Sequence, residues 1–468
     1  MGGYALAVAD FDVKALLTGH AGQDYDLYAQ GINPQFVRML RTIGLDRTWA
    51  RADGAYLFDS DGRRVLDMNG GFGMFNVGRN NPRVRKALID ALELDTPGSV
   101  QLGVSLLPGL LARELIRRLP ARIERCLFTN SGAEAVEAAL KLGRAASGRS
   151  RVLSASKGFH GLTLGALSVN AGAEWTERFG PLLPDCERVP FNDLDALEQE
   201  LAREDAALFI VEPVQGKGVN IPENGYLQGA QELCRRYGTL FCLDEVQTGF
   251  GRTGRMFALE YWGLEPDIVT VAKSLSGGYV PVGACLMSRA VYDRVFDSLE
   301  HAVSHGSTFA PNDLAMAAGL ATLGELDHQG LVKRAARLGE LLIDRTAPLV
   351  EHHDVVYEVR ALGLMWAMEF REPDGGSRSW RVLERRQPGI FTQLVALPLF
   401  AEYGILIQAA GHNMNVLKAI PPLTISEHEI DYFTQSLDRV LSRARRIPSA
   451  MLRFAFKAAR ASRQRVQA

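Results

Sequence analysis

Asp244 and Lys273 stand 29 residues apart, each directly after or close behind a short apolar run, Leu240–Leu243 and Asp267–Val271. That spacing fits one strand–crossover–strand unit, whose two strands lie side by side, so carboxylate and ammonium are expected to meet at one edge of a sheet. A lysine beside apolar Val271 and Ala272 sheds its proton more readily than a solvated one, and a free amine is what attack on a carbonyl carbon requires. From these two residues alone, a purely structural Asp–Lys pair stays open.

A third group strengthens the chemical reading. Ser131-Gly132-Ala133-Glu134 follows the apolar run Arg125–Thr129 and opens an Ala- and Leu-rich stretch. Ser131 fits an N-cap and Glu134 its partner three residues on. The unpaired N–H groups and dipole at such a start attract phosphate, and Gly132 permits close backbone approach. Phe159 offers an aromatic plate. A phosphate seat, a plate, a carboxylate able to hold a pyridinium proton and a lysine together describe a pyridoxal-phosphate site.

The elements that must carry these residues follow one pattern. Arg125–Thr129, Arg151–Ala155, Ala207–Val211, Leu240–Leu243 and Asp267–Val271 are each followed by a polar cluster and then a helical stretch. Alternating strands and helices predict an α/β fold with a mostly parallel, doubly wound sheet, whose ligand crevice lies at the carboxyl ends of the strands. The texture changes near residue 326 to amphipathic helices (Leu331–Val350), an alternating segment (Tyr357–Phe370), a Gly/Pro-containing insertion near Pro373–Pro388 and a last helix from about Ser426. We expect an N-terminal segment over 1–75 that joins a small α+β domain at 326–445, a large domain at 76–325 and a basic tail at 446–468. After Asp438 the chain has no acid, while seven arginines and one lysine beyond Arg439 surround Met451, Leu452, Phe454 and Phe456. The tail therefore reads as either a solvated helix or an amphipathic segment with weak affinity for an anionic membrane surface.

With 468 residues, 47% hydrophobic, and 52 Lys+Arg against 54 Asp+Glu, the composition is that of a globular protein and excludes a surface that is one continuous nucleic-acid footprint. No apolar run reaches the roughly 18 residues of a membrane span, since Val395–Ala410 is broken by Pro398 and Glu402. The first residues lack the positive region of a secretory signal, and five cysteines without a C-x-x-C pair indicate neither a disulfide framework nor a zinc site; a cytoplasmic setting is expected. Gly249-Phe250-Gly251-Arg252-Thr253-Gly254 satisfies the dinucleotide pattern G-x-G-x-x-G, but it follows Asp244-Glu245-Val246-Gln247, and neither a clean helix nor an acid about 20 residues on follows it, which argues against a nicotinamide cofactor.

Further motifs run collinearly over residues 35 to 445: Phe159-His160-Gly161, Glu212-Pro213-Val214-Gln215-Gly216, Leu243-Asp244-Glu245-Val246-Gln247-Thr248-Gly249, Ala272-Lys273-Ser274 and His305-Gly306-Ser307-Thr308-Phe309. In them the chain resembles the class III pyridoxal-phosphate aminotransferases of fold type I, including those acting on acetylornithine, ornithine and putrescine. The resemblance implies that Lys273 holds the cofactor as a Schiff base and shuttles a proton, and that Asp244 keeps the pyridine nitrogen protonated. It implies phosphate binding by Ser131, Gly132 and Ala133, with Thr308 reaching the phosphate of the other subunit of a homodimer. Phe159 and Val246 would flank the ring and Gln247 its phenolic oxygen. For His160 a ring-adjacent contact and a structural role both stand, and Glu212 is either a second-layer or substrate-facing acid or a plain strand-end acid. The implied reaction is a ping-pong transfer between a small-molecule amino donor, expected to be glutamate, and a carbonyl acceptor.

The substrate side departs from the family pattern. Ornithine-type members commonly carry arginine after Phe-His-Gly, where this chain has Leu162, and they pair a Glu after Gln-Gly with an Arg before Pro-Pro, where it has Lys217 and Lys418. A pocket tyrosine aligns with Phe72. The expected pocket is apolar at Phe72 and Leu162 and cationic at Lys217 and Lys418, which suits glutamate together with a primary-amine or aldehyde partner. The alternatives are an acetylornithine/ornithine-type enzyme, or amination of a lipid-like aldehyde at a membrane surface.

Overall fold

The computed structural model describes residues 11–372, 384 and 388–444. The basic tail, the first ten residues and most of the Pro373–Pro388 segment lie outside them. Strands β1 (Trp49–Asp53), β2 (Tyr56–Asp59) and β3 (Arg64–Asp67) form an antiparallel meander, and β3 pairs in parallel with β13 (Ile405–Leu406), so N- and C-terminal parts of the chain share one sheet.

The central sheet contains β4 (Ile123–Thr129), β5 (Arg151–Ala155), β6 (Cys186–Val189), β7 (Ala206–Val211), β8 (Leu240–Asp244), β9 (Ile268–Val271) and β10 (Gly283–Ser288), in the order β4-β10-β9-β8-β7-β5-β6. Strands β6, β5, β7, β8 and β9 run parallel, and β10 lies antiparallel to both β9 and β4. Two strands were not foreseen. β6 carries Glu187 and Arg188 at its centre, which breaks the apolar signature, and β10 follows the Gly277-Gly278 turn after four intervening residues, with no helical crossover to announce it. Every side chain of β7, Ala206 through Val211, is buried, as expected for a strand covered on both faces.

The helix Gly132–Ser147 covers one face. Ser131 Oγ accepts the Glu134 N–H at 3.1 Å, while the Glu134 carboxylate reaches the backbone N–H of Asn130 instead of that of the cap. Small residues let it lie close to the sheet: a Cβ on Gly143 would stand 3.2 Å from Cβ of Leu208. A third sheet, β11 (Val356–Leu362), β12 (Met365–Phe370), β15 (Val416–Ala419) and β14 (Gln408–Ala410) in that order, packs with the helices Leu331–Thr346 and Glu427–Ala444.

The parts converge on Arg252. Its fully buried guanidinium donates to the carbonyls of Leu364 and Pro421 and to Oδ1 of Asn76. Burial pulls its pKa down to about 9, which leaves it charged at neutral pH. The glycine-rich run around it opens no helix; Gly251 abuts Leu423 and Val332, and Gly254 abuts Ala336, so these glycines serve close packing. Arg252→Met is expected to strand three buried acceptors at about 1–3 kcal/mol each, giving a loss of about 3 kcal/mol or more. The check is the urea midpoint, which should fall clearly below that of the parent chain.

Candidate active site

Strands β8 and β9 are parallel neighbours with Asp244 opposite Thr270. Among the described residues, the crossover between them contains the short 3-10 turn Ala258–Tyr261 and no α-helix, in keeping with the lack of a clean helical pattern after the glycine run. It still brings Asp244 and Lys273 to one cavity of about 400 Å3 at the carboxyl ends of the strands. Ser131, Gly132, Ala133, Phe159, His160, Glu212, Val246 and Gln247 line the same cavity.

Asp244 is almost wholly buried and fully engaged. Its Oδ1 accepts the N–H of Val246 at 3.0 Å and the hydroxyl of Thr270 at 3.1 Å, and its Oδ2 lies 2.7 Å from Nδ1 of His160. Burial works against a charged imidazole, but the adjacent carboxylate overrides it and lifts the His160 pKa. Nε2 of His160 is buried with no hydrogen-bond partner among the described residues. The histidine thus both touches the cavity and orients Asp244, which joins the two readings its sequence left open.

Half-buried Lys273 starts the turn Lys273–Ser276 with φ of 41°, the left-handed region that a lysine rarely occupies. The neighbouring Ser274 hydroxyl donates to the carbonyl of Gly73 at 2.7 Å, which ties this turn to the N-terminal segment. Desolvation lowers the Lys273 pKa, opposed by the charges of Asp244 and Glu212. Glu212 turns its oxygens to the N–H groups of Phe159 at 2.9 Å and Gly216 at 2.8 Å, so it shapes the loops that present Phe159. Burial raises its pKa, partly countered by His160.

At the helix start, the N–H of Glu134 is taken by Ser131 Oγ and that of Ala135 by the Ser131 carbonyl, which leaves the N–H groups of Gly132 and Ala133 at the cavity. A Cβ on Gly132 would stand 2.9 Å from Val246 Cγ1, so only glycine allows this approach. An anion seat, a buried carboxylate and a lysine with lowered proton affinity are the donor set that pyridoxal phosphate needs.

The other expected residues lie outside this cavity wall. Phe72 and Leu162 are each 57% exposed, and Thr308 is exposed, with its carbonyl accepting from Gln101. The ammonium of Lys217 stands 5.6 Å from the centre of the Trp175 ring, which meets Phe159 edge-on at 5.6 Å. Lys418 is buried, and its ammonium is 2.8 Å from the carbonyl of Gly216 and 3.4 Å from Oε1 of Gln247. Burial, joined by the charge of Lys273, pulls its pKa down to about 7. Sequence reasoning missed Met74 and Tyr279 in the wall and Trp175 behind Phe159, none of which sits in a pattern whose spacing announces a site; Ser276, in the run Ala272–Gly278, also lines the wall.

The family model of class III aminotransferases matches residues 43–441. The putrescine aminotransferase of Pectobacterium atrosepticum is 36% identical over 417 residues, covering 86% of this chain and 85% of that protein. Aminotransferase PigE of a Serratia species is 35% identical over 449 residues, or 89% of this chain, which spans only 53% of that longer protein. Among solved structures, the ornithine aminotransferase of Toxoplasma gondii superposes with a TM-score of 0.80 at 28% identity, covering 93% of this chain and 99% of that one. A pyridoxal-phosphate-bound amine transaminase from an uncultivated Pseudomonas species gives 0.76 at 32%, covering 85% and 95%. The chain belongs to the class III aminotransferases, enzymes of fold type I that depend on pyridoxal phosphate.

Proposed function

We propose that this aminotransferase works by a ping-pong cycle with glutamate as amino donor and a carboxylate-poor amine or aldehyde as its other partner. One observation carries the reading of the amine or aldehyde partner: among the described residues of the cavity wall there is no arginine, and Lys273 is its only lysine. An α-carboxylate would therefore lack a bidentate partner in that wall. A terminal amine or aldehyde needs none, and the putrescine aminotransferase relative supports the same class. Lys217, over the Trp175 ring, is our candidate for holding a carboxylate of glutamate or 2-oxoglutarate, with Phe72 and Leu162 giving apolar contact to the other partner.

Bound pyridoxal phosphate supplies the electron sink that makes the substrate carbon acidic. In this reading Lys273 anchors the cofactor and carries the proton at that carbon through Nζ, Asp244 holds the proton on the ring nitrogen, Gly132 and Ala133 hold the phosphate through their N–H groups, and Phe159 and Val246 confine the ring. We read the domains as an N-terminal segment to residue 75, a large unit at 76–325 and a small one at 326–445, a division that the three sheets support. No described helix is long and apolar enough to cross a membrane.

Comparing kcat/KM for putrescine, a long-chain amine, ornithine and acetylornithine tests the substrate class. Putrescine or the long-chain amine should lead. A preference for acetylornithine above about tenfold, or 1.4 kcal/mol of transition-state discrimination, would reject it.

We further propose a homodimer with shared sites. Leu102 and Val104 are almost fully exposed in the single chain, and exposed Thr308 and Phe309 lie in the loop bonded to Gln101. Mixing inactive Lys273→Ala with a chain inactivated at Thr308 alone (Thr308→Asp, whose carboxylate repels the phosphate) should recover activity at one of the two sites if Thr308 crosses the boundary, because Lys273 and Gly132 line the same cavity of one chain. Mixed dimers that stay inactive would show that each site is built from one chain.

A further inference from the structure

Gln247 stands where three remote segments meet. Its Nε2 donates to the carbonyl of Phe72 at 3.2 Å, and its Oε1 faces the Lys418 ammonium at 3.4 Å. That ammonium is itself fixed 2.8 Å from the carbonyl of Gly216. The partners settle which way the amide points: a lysine ammonium only donates and a backbone carbonyl only accepts, so the oxygen must face Lys418 and the nitrogen Phe72. One N–H of the amide is spent on Phe72. Since Gln247 lines the cofactor cavity, the second N–H is what its side chain has left to offer there.

Gly216 belongs to the same device. A Cβ at that position would run into Oε1 of Gln247 and stand 3.1 Å from Oε1 of Glu212, so only glycine lets the carbonyl that holds Lys418 sit this close. Lys418 forms no ion pair among the described residues. A buried lysine spends part of its hydration on very little here, unless its donors do something specific.

We propose that Lys418 is a positioning residue: it holds the Gln247 carboxamide with its oxygen turned from the cavity, so that Gln247 meets the bound cofactor only as a hydrogen-bond donor. A donor there stabilises the anionic ring oxygen of the cofactor, whereas a flipped amide would set its carbonyl oxygen against that oxygen. The proposal rests on the pyridoxal-phosphate reading of the cavity but not on the choice of substrate. It gives Lys418 a role different from the carboxylate post expected from its sequence position.

The test uses the visible absorption band of the holoenzyme and the midpoint of its pH titration, which need no turnover. Lys418→Met keeps length and burial but removes the donors, and Lys418→Arg retains them. Losing a donor to an anionic oxygen makes the chromophore harder to deprotonate, so Lys418→Met should raise the midpoint by roughly one pH unit, and Lys418→Arg should restore most of it. In a Gln247→Ala background Lys418→Met should add no further shift. An unmoved midpoint would overturn the proposal. So would an equal shift in both backgrounds, which would mean that the lysine acts through its charge alone. A KM for 2-oxoglutarate raised more than about tenfold with an unmoved midpoint would make Lys418 a substrate ligand instead. Failure of the parent chain to show any such band would instead remove the cofactor reading, an outcome distinct from these.

Discussion

Lys273→Ala is expected to lower kcat by at least ~10^4-fold, equivalent to about 5.4 kcal/mol of lost transition-state stabilisation. On the proposed roles the substitution removes both the cofactor's anchor and the base beside the substrate carbon, and no second amine lines the cavity wall among the described residues. The assignment has a direct chemical check. Borohydride reduction of the holoenzyme followed by peptide mapping should place a pyridoxyl group on Lys273. The informative competitor is Lys418, which is more deeply buried and whose proton affinity is also reduced. A pyridoxyl group on Lys418 would exchange the two roles.

Asp244→Asn should cost about 10^2- to 10^4-fold in kcat while leaving the fold in place. The asparagine oxygen can still accept from Val246 and Thr270, which accounts for the preserved structure. Its nitrogen side, however, would face Nδ1 of His160 with a donor, forcing that ring to accept there, and a neutral amide no longer favours a proton on the cofactor nitrogen. Unchanged thermal stability with collapsed turnover is the expected pair of results. Near-normal turnover would show that this carboxylate is not the ring's partner.

The residues that proved easiest to read were those whose role is encoded next to them in the chain. Ser131 with Glu134, the apolar run before Asp244 and the small residues before Lys273 each carry their local signal, and sheet topology gathers strand ends at one edge whatever the crossover is made of. The crossover Glu245–Asp267 offers no clean helical pattern in the sequence, and in the structure it is held by turns and by Arg252. Strand β6 was hidden by the charges at its centre, and β10 by the turn that feeds it. Contacts that join distant segments were illegible for a general reason: a hydrogen bond such as Ser274 to Gly73, or Lys418 to Gln247, leaves no spacing for a single sequence to display. Phe72, Leu162 and Thr308, read from alignment to motifs, stand exposed outside the cavity wall of the single chain.

The convergence on Arg252 also sets an order of events during synthesis. Asn76 and Arg252 are 176 residues apart and Arg252 and Pro421 another 169. At about 5–20 residues per second a ribosome needs roughly 10–30 s to travel from Arg252 to Pro421. During that interval the central sheet, with Asp244 at the end of β8 and Lys273 just beyond β9, can form, while the guanidinium waits for its last acceptor and Gln247 for Lys418. Nascent chains stalled before residue 418 should therefore bind pyridoxal phosphate weakly even when their sheet is folded, and capture of the cofactor becomes a late, nearly post-translational step.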